Sequence, residues 1–427
     1  MKVIKYPKIQ NWETLTKRPV ISSEKLDSIV SDILINVKQN KDKALLEYSN
    51  KFDGVKLSNI AITDEDISTA ILKVSENLKK AISLAKTNIT KFHSAQRETS
   101  EVIETTPGVK CWRKSLPIEK VGLYIPGGTA PLFSTILMLG IPAVLAGCKE
   151  IVLCSPPDKN GNIHPAILYT ANLIGIKKIF KIGGAQAIAA MAYGTESVPQ
   201  VYKIFGPGNQ YVTKAKELVQ LNGVAIDMPA GPSEVLVIAD KTSKPEFIAS
   251  DLLSQAEHGA DSQVILVSDN EDIINETMKE ITVQLANLPR VEIAKKALKN
   301  SSAFLLETIN DCIDFSNMYA PEHLILASED TDDWLNQITN AGSVFIGNYS
   351  CESAGDYASG TNHTLPTNGC ARNYSGVSLD SFVKKVTFQK LSKEGIQNIG
   401  PAIELMAEAE ELFAHKNAVT LRLKSNV

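Results

Sequence analysis

The sequence predicts an α/β protein of two doubly wound units with parallel sheets, flanked by smaller helical segments at its N- and C-termini. Three observations lead there. Short runs of apolar and β-branched residues recur, such as "VGLYI", "EIVLCS", "KIFKI" and "VYKIF". Helical stretches lie between them, among them "PAILYTANLIG", "AQAIAAMAYG" and "QYVTKAKELVQ". The alternation pauses at "AIDMPAGPSE" and resumes with "VLVIAD", "QVILVS", "AFLLE", "HLILAS" and "SVFIG". Strand and helix in alternation imply a parallel sheet covered on both faces, and the pause implies two of them.

In chain order, residues 1–20 form a basic N-terminal segment without the continuous apolar core and cleavage site of a secretion signal. "SSEKLDSIVSDILINVKQNKDKALLEYSNKFDG" has Ser caps, helical spacing of Leu, Ile and Val, and a closing Gly54. "EDISTAILKVSENLKKAISLAKTNITKFHSAQ" reads as another such run. The long apolar run "PLFSTILMLGIPAVLAGC", residues 131–148, carries Ser134, Thr135, two prolines and two glycines. It reads as a buried helix leading toward a strand, not as a membrane span. Residues 347–376 are rich in Gly, Ser, Asn and Thr, the composition of a long functional loop. The remainder reads as helical, most strongly in "PAIELMAEAEELFAHKNAV". The expected organisation is a segment 1–20, a first α/β domain from 21–120 and 233–376, a second from 121–232, and a helical segment 377–427.

The bulk numbers narrow the function classes. Of 427 residues, 44% are hydrophobic and 22% charged, a soluble globular balance. A net charge of -4 favours neither nucleic acid nor an anionic membrane. Six cysteines without a C-x-x-C pattern read as reduced thiols in the cytoplasm.

Open parallel sheets bind ligands at the carboxyl ends of their strands, so the turns after the strands matter most. Tyr124 precedes "PGGTAP", Gln186 follows in "GGAQAI", and Asn209 begins a helix in "GPGNQYV". Glycine turns let backbone N–H groups approach an anion such as a pyrophosphate. None is a full dinucleotide fingerprint, since Tyr211 stands where a third glycine belongs. The second unit carries the polar residues. In "SQAEHGADSQ", Gln255 and His258 share a face if the segment is helical, and Gly259 would end that helix. Taken alone, the pair is also what a capped helix end with exposed polar groups looks like. His323 follows Glu322 in "APEHLIL"; Asp356 and His363 lie in "AGDYASGTNHTLPTNG"; His415 follows Glu410 near the C-terminus. Gln255, His258, Asp356 and His415 have the donor types of a transition-metal site, though dispersed in sequence. Two other readings stay open at this level: a cysteine thiohemiacetal mechanism using Cys148 or Cys154, and a two-domain ligand binder without chemistry.

At these residues the sequence resembles the histidinol dehydrogenase family over nearly its whole length. The resemblance rests on "VGLYIPGGTAPLFSTILML", "IGGAQAIAAMAYGTESVP", "KIFGPGNQYV", "IDMPAGPSEVLVIAD", "LLSQAEHG", "APEHLIL", "AGDYASGTNHTLPTNG" and "AHKNAV". It implies two Rossmann-like domains and an NAD-dependent oxidation of L-histidinol through L-histidinaldehyde to L-histidine, the last steps of histidine biosynthesis. It implies one zinc per subunit on Gln255, His258, Asp356 and His415, and a catalytic pair Glu322 and His323. Implied substrate contacts are Ser233, Gln255, His258, His323, Asp356, His363, Glu410 and His415; implied cofactor contacts are Tyr124, Gln186 and Asn209. The resemblance further implies a homodimer whose C-terminal segment completes the other subunit's site. One departure is Asn373 in "ARNYSG", where an aromatic is expected.

Overall fold

The computed structural model describes residues 1–18, 24–127, 130–229 and 231–425. Ser22 and Ser23, read as caps of the first helix, and Gly128 of the first glycine turn lie outside the described residues. The expected fold class is the one observed. Every run read as a strand forms one, and the runs assemble into two all-parallel sheets. The five-stranded sheet has the order Lys178–Lys181, Glu150–Ser155, Lys120–Tyr124, Lys203–Phe205, Ala225–Ile226. The six-stranded sheet has the order Lys2–Lys5, Ser302–Leu305, Gln263–Ser268, Glu234–Ala239, His323–Ala327, Ser343–Ile346. Central strands such as Glu234–Ala239 and Gln263–Ser268 are buried at every residue, which is why they read as continuous apolar runs without alternation. The run at 131–148 forms the helix Ser134–Ala146, buried from Ser134 through Ala143. No helix among the described residues is long and apolar enough to cross a membrane.

The structure differs from the sequence reading in four places. The helices Glu24–Tyr48, Asp64–Lys73 and Glu76–Ser94 do not join the six-stranded unit. Val30, Ile33 and Val37 pack with Val152 and Ile188, and Ile82 and Ile89 pack with Leu137 and Leu139, all within the five-stranded unit. The N-terminal segment is not separate, because Lys2–Lys5 pairs in parallel with Ser302–Leu305. The second helical run is two helices: Ser75 accepts a hydrogen bond from the Leu78 N–H at 3.3 Å and starts a new one. Such a cap stabilises a helix start by about 1 kcal/mol. Finally, the C-terminal segment begins with a strand. Val383–Leu391 pairs antiparallel with Val109–Pro117, which also pairs with Ile103–Thr106. "VKCWRKSLP" and "VKKVTFQKL" carry lysines on a largely exposed ribbon, so neither shows the apolar run of a central strand. The helices Lys393–Ala409 and Phe413–Lys424 pack on each other beyond this ribbon. Asn373 is exposed and bonds only locally, its N–H to the Cys370 carbonyl at 3.0 Å.

Candidate functional site

Each sheet has a point where strand order reverses, and the two are used differently. In the five-stranded sheet it lies between Lys120–Tyr124 and Lys203–Phe205. The loops beyond their carboxyl ends diverge there and leave a crevice. A cleft of about 1090 Å³ opens at this edge, and Tyr124, Gln186 and Asn209 all line it. Tyr124 Oη accepts from the Gly184 N–H at 3.1 Å, and burial pushes its phenol up to about 12. Asn209 caps the helix Gln210–Gln220 by accepting from the Tyr211 and Val212 N–H groups at 3.0 and 3.2 Å. Gly206 has φ +132°, and a Cβ there would lie 2.1 Å from the Tyr124 carbonyl oxygen, so only glycine fits. The buried Lys216 and Asp227, themselves paired, hold this turn: Lys216 Nζ donates to the Gly206 carbonyl at 3.0 Å, and Asp227 Oδ2 accepts from its N–H at 2.8 Å.

In the six-stranded sheet the reversal lies between Glu234–Ala239 and His323–Ala327. Its carboxyl edge is closed by its own side chains. Ser328 Oγ donates to Asp240 Oδ2 at 2.7 Å, Thr242 Oγ1 to Asp240 Oδ1 at 2.6 Å, and Ser243 Oγ to the Ala327 carbonyl. The polar cluster expected from the sequence sits instead at the amino edge. Ser233 immediately precedes Glu234–Ala239, Glu322 immediately precedes His323–Ala327, and Gln255 and His258 come just before Gln263–Ser268. The helix Glu352–Tyr357 returns from the Ser343–Ile346 strand and brings Asp356 beside them.

Glu322 and His323 are both buried. The His323 Nδ1–H donates to the Glu234 carbonyl at 3.1 Å. A carbonyl only accepts, so this bond places a proton on Nδ1, and in the neutral ring Nε2 is then the lone-pair nitrogen. Nε2 lies 3.6 Å from Asp356 Oδ1. Burial opposes a charged ring, but Glu352, Glu322 and Asp356 outweigh it and raise the His323 pKa well above its ordinary value. Glu322 Oε2 accepts from the Glu234 N–H at 2.9 Å, and burial pushes its carboxyl up to about 8 against the pull of His323. Burial pushes the Asp356 carboxyl up, but His323, His363 and His258 together outweigh it and hold the group below the ordinary carboxylate range.

One member of this cluster is absent from the sequence reading. Glu352 is buried, and ligand atoms of His258, Glu352 and Asp356 all lie within 4.8 Å of one another. Burial, with Asp356 and Glu322 nearby, holds the Glu352 carboxyl well above its usual range despite His323. Gln255 joins through it: in the amide orientation that satisfies both ends, its nitrogen donates to Glu352 Oε1 and its oxygen, at 2.8 Å, shares the Glu234 N–H with Glu322 Oε2. The signal for Glu352 was a second carboxylate four residues before Asp356, one helical turn away. Glu352 Oε2, His323 Nε2 and His363 Nε2 are buried atoms without a hydrogen-bond partner. Buried polar atoms are rarely left so, and with the His258, Glu352 and Asp356 ligand atoms so close together the cluster fits a cation. His363 lies beside this cluster, its pKa lowered by burial and raised by Asp356.

Two expectations are modified. Gln255 and His258 do not share a helical face, because the helix Pro245–Ala256 ends before His258. The His258 N–H instead donates to the Gln255 carbonyl at 3.2 Å, and this turn brings the ring beside Asp356. Burial of the ring lowers the His258 pKa against the pull of Asp356, although the residue reaches solvent. His415 and Glu410 are not brought to the cluster within one chain. Both are exposed, His415 on the Phe413–Lys424 helix that packs against Lys393–Ala409.

The cysteines read differently in three dimensions. All six are free thiols. Cys154 is completely buried in the five-stranded core, and burial raises its pKa strongly. Burial pushes Cys148 up to about 11, and its Sγ faces the Phe382 carbonyl at 3.8 Å. Neither is an activated thiolate. Cys148→Ala and Cys154→Ala are expected to keep turnover within about threefold of the parent, since neither thiol is poised for attack. A loss of several orders of magnitude in correctly folded variants would revive a covalent thiol mechanism.

Two doubly wound units, one with an open cleft at its strand reversal and the other with a buried Glu–His pair beside a metal-capable cluster, make the frame of an oxidoreductase. Residues 16–423 match the family model described as histidinol dehydrogenase. A histidinol dehydrogenase of Bacteroides thetaiotaomicron is 60% identical over 425 residues, covering 100% of this chain and 99% of that one. Another, of Pectobacterium atrosepticum, is 53% identical and covers 97% and 94%. The crystal structure of histidinol dehydrogenase from Elizabethkingia anophelis is 63% identical and superimposes with a TM-score of 0.98 over 99% of this chain and 98% of that one. The chain belongs to the histidinol dehydrogenase family, oxidoreductases of histidine biosynthesis.

Proposed function

We propose that this chain carries out the NAD-dependent, zinc-requiring four-electron oxidation of L-histidinol through L-histidinaldehyde to L-histidine, as a cytoplasmic homodimer. The observation that carries the proposal is the convergence of Glu322 and His323 with His258, Glu352 and Asp356 at one sheet edge. Gln255, His258 and Asp356, with His415 of the partner subunit, would hold the zinc. Glu352 lies against the same point. Tyr124, Gln186 and Asn209 would hold the nicotinamide cofactor in their cleft. When bound, the metal orients the substrate and polarises its oxygen, and the cofactor accepts hydride.

The chain's own residues handle water and protons. His323, fixed by its Nδ1–H bond to Glu234, takes the alcohol proton at Nε2 as the first hydride leaves. Glu322, made more basic by burial, takes a proton from the water that adds to the aldehyde. His323, once it has released the first proton to solvent, takes a proton from the hydrate as the second hydride leaves. Ser233, His363 and Glu410 of the partner subunit complete the substrate's contacts. The test is NADH absorbance with histidinol as substrate. Two NADH per histidine are expected; no NADH, or one, would reject the proposal.

Glu322→Gln separates the two steps. The amide keeps the shape of the side chain and loses its basicity. Oxidation of histidinaldehyde is expected to slow about 10²-fold or more, and oxidation of histidinol by less than tenfold. Supplying each substrate separately reads this, and equal losses on both would reject the role given to Glu322.

A further inference from the structure

We infer that Arg18 is a positioning residue for this oxidation, acting through Glu234 on the Glu322–His323 pair; the inference rests on the function proposed above. The backbone of Glu234 engages both members. Its N–H donates to Glu322 Oε2 at 2.9 Å, and its carbonyl accepts from His323 Nδ1 at 3.1 Å. One residue's main chain therefore orients the carboxylate and sets the tautomer of the ring.

The place of Glu234 is set in turn by its side chain, only 2% exposed. Arg18 grips it as a fork, Nε to Oε1 at 2.6 Å and Nη2 to Oε2 at 2.8 Å. The Asn368 N–H adds a third bond to Oε1 at 2.7 Å. Arg18 Nη2 also donates to the Tyr319 carbonyl at 2.9 Å, and the guanidinium lies 3.9 Å from the Tyr319 ring centroid. Tyr319 ends the helix Ile309–Tyr319, and the chain turns at Ala320, with φ 55°, directly into Pro321 and Glu322. The ring is itself tied down, its Oη donating to Gln263 Oε1 at 2.8 Å. A single guanidinium thus ties the start of one strand to the approach of the next, and each carries part of the catalytic pair.

A buried ion pair adds little net stability compared with an apolar replacement, so its worth here lies in placement. The planar fork of arginine supplies a two-point grip that lysine cannot. Misplacing a reacting group by about 1 Å costs on the order of 10²-fold in rate.

The test compares Arg18→Ala, Arg18→Lys and Glu234→Gln with the parent, and with His323→Ala as the reference for losing the base. The readouts are kcat and KM for histidinol and for NAD, bound zinc, and the melting curve. Arg18→Ala is expected to lower kcat about 10²-fold, with both KM values and the zinc content within about threefold. Glu234→Gln, which keeps the backbone contacts and part of the fork, is expected to lose about tenfold, and Arg18→Lys an intermediate amount. Added methylguanidinium should restore part of the kcat of Arg18→Ala. If that variant does not fold, Glu234→Gln and Arg18→Lys decide alone. Parent kcat in folded Arg18 and Glu234 variants, or losses that merely follow the folded fraction or the zinc content, would overturn the inference while an inactive His323→Ala leaves the catalytic assignment standing. An active His323→Ala would withdraw that assignment and this inference together.

Discussion

Treatment with a strong chelator is expected to abolish both oxidations, and added zinc to restore them. The donor set at the amino edge of the six-stranded sheet combines the imidazole of His258 with the carboxyl groups of Glu352 and Asp356. His258 reaches solvent, so the ion has an exit path and the site should exchange it. Without a cation the buried Glu352, its carboxyl held well above the usual range, and the half-buried Asp356 lie together beside His323. Losing the ion removes the placement of the substrate as well as the charge that holds it. Metal content measured alongside NADH formation makes the result decisive. Full activity in protein shown to be metal-free would refute the zinc requirement.

His258→Ala and His415→Ala are each expected to be inactive, yet to recover together when their subunits are exchanged. Within one chain His415 lies on a terminal helix whose partner is Lys393–Ala409, while His258 lies beside Asp356. If His415 serves the other subunit, a mixed dimer holds one doubly altered site and one intact site. Random mixing of equal amounts makes about half of the dimers mixed, so activity should return to about a quarter of the parent. Subunit exchange is verified by mass or by a tag. Exchange without recovery would mean that every site is built within a single chain.

Much of the fold was legible because parallel strands buried on both faces must be apolar throughout. Glu234–Ala239 and Gln263–Ser268 show this plainly. The glycine turns after the five-stranded sheet were legible for a related reason. Gly206 has to be glycine, with its Cβ position blocked by the Tyr124 carbonyl. The strands of the antiparallel ribbon were not legible, since exposed lysine-bearing strands resemble loops or helix surfaces until a partner is known.

By itself the sequence determined the two-unit α/β class, the central strands of both parallel sheets and most of the helices, and the residue types able to hold a cation and move a proton. These follow from local periodicity and from side-chain chemistry, both properties of short stretches of chain. Tertiary structure alone decided which sheet the helices of residues 24–94 cover, because an amphipathic face specifies burial and not the surface it is buried against. It closed the carboxyl edge of the six-stranded sheet with Asp240, Thr242 and Ser328, and gathered the polar cluster at the amino edge, where the sequence sets Glu322 and His323 at the start of a strand. It also added Glu352 to the cluster and tied Arg18 to Glu234, contacts between segments remote in sequence that only the folded chain brings within bonding distance.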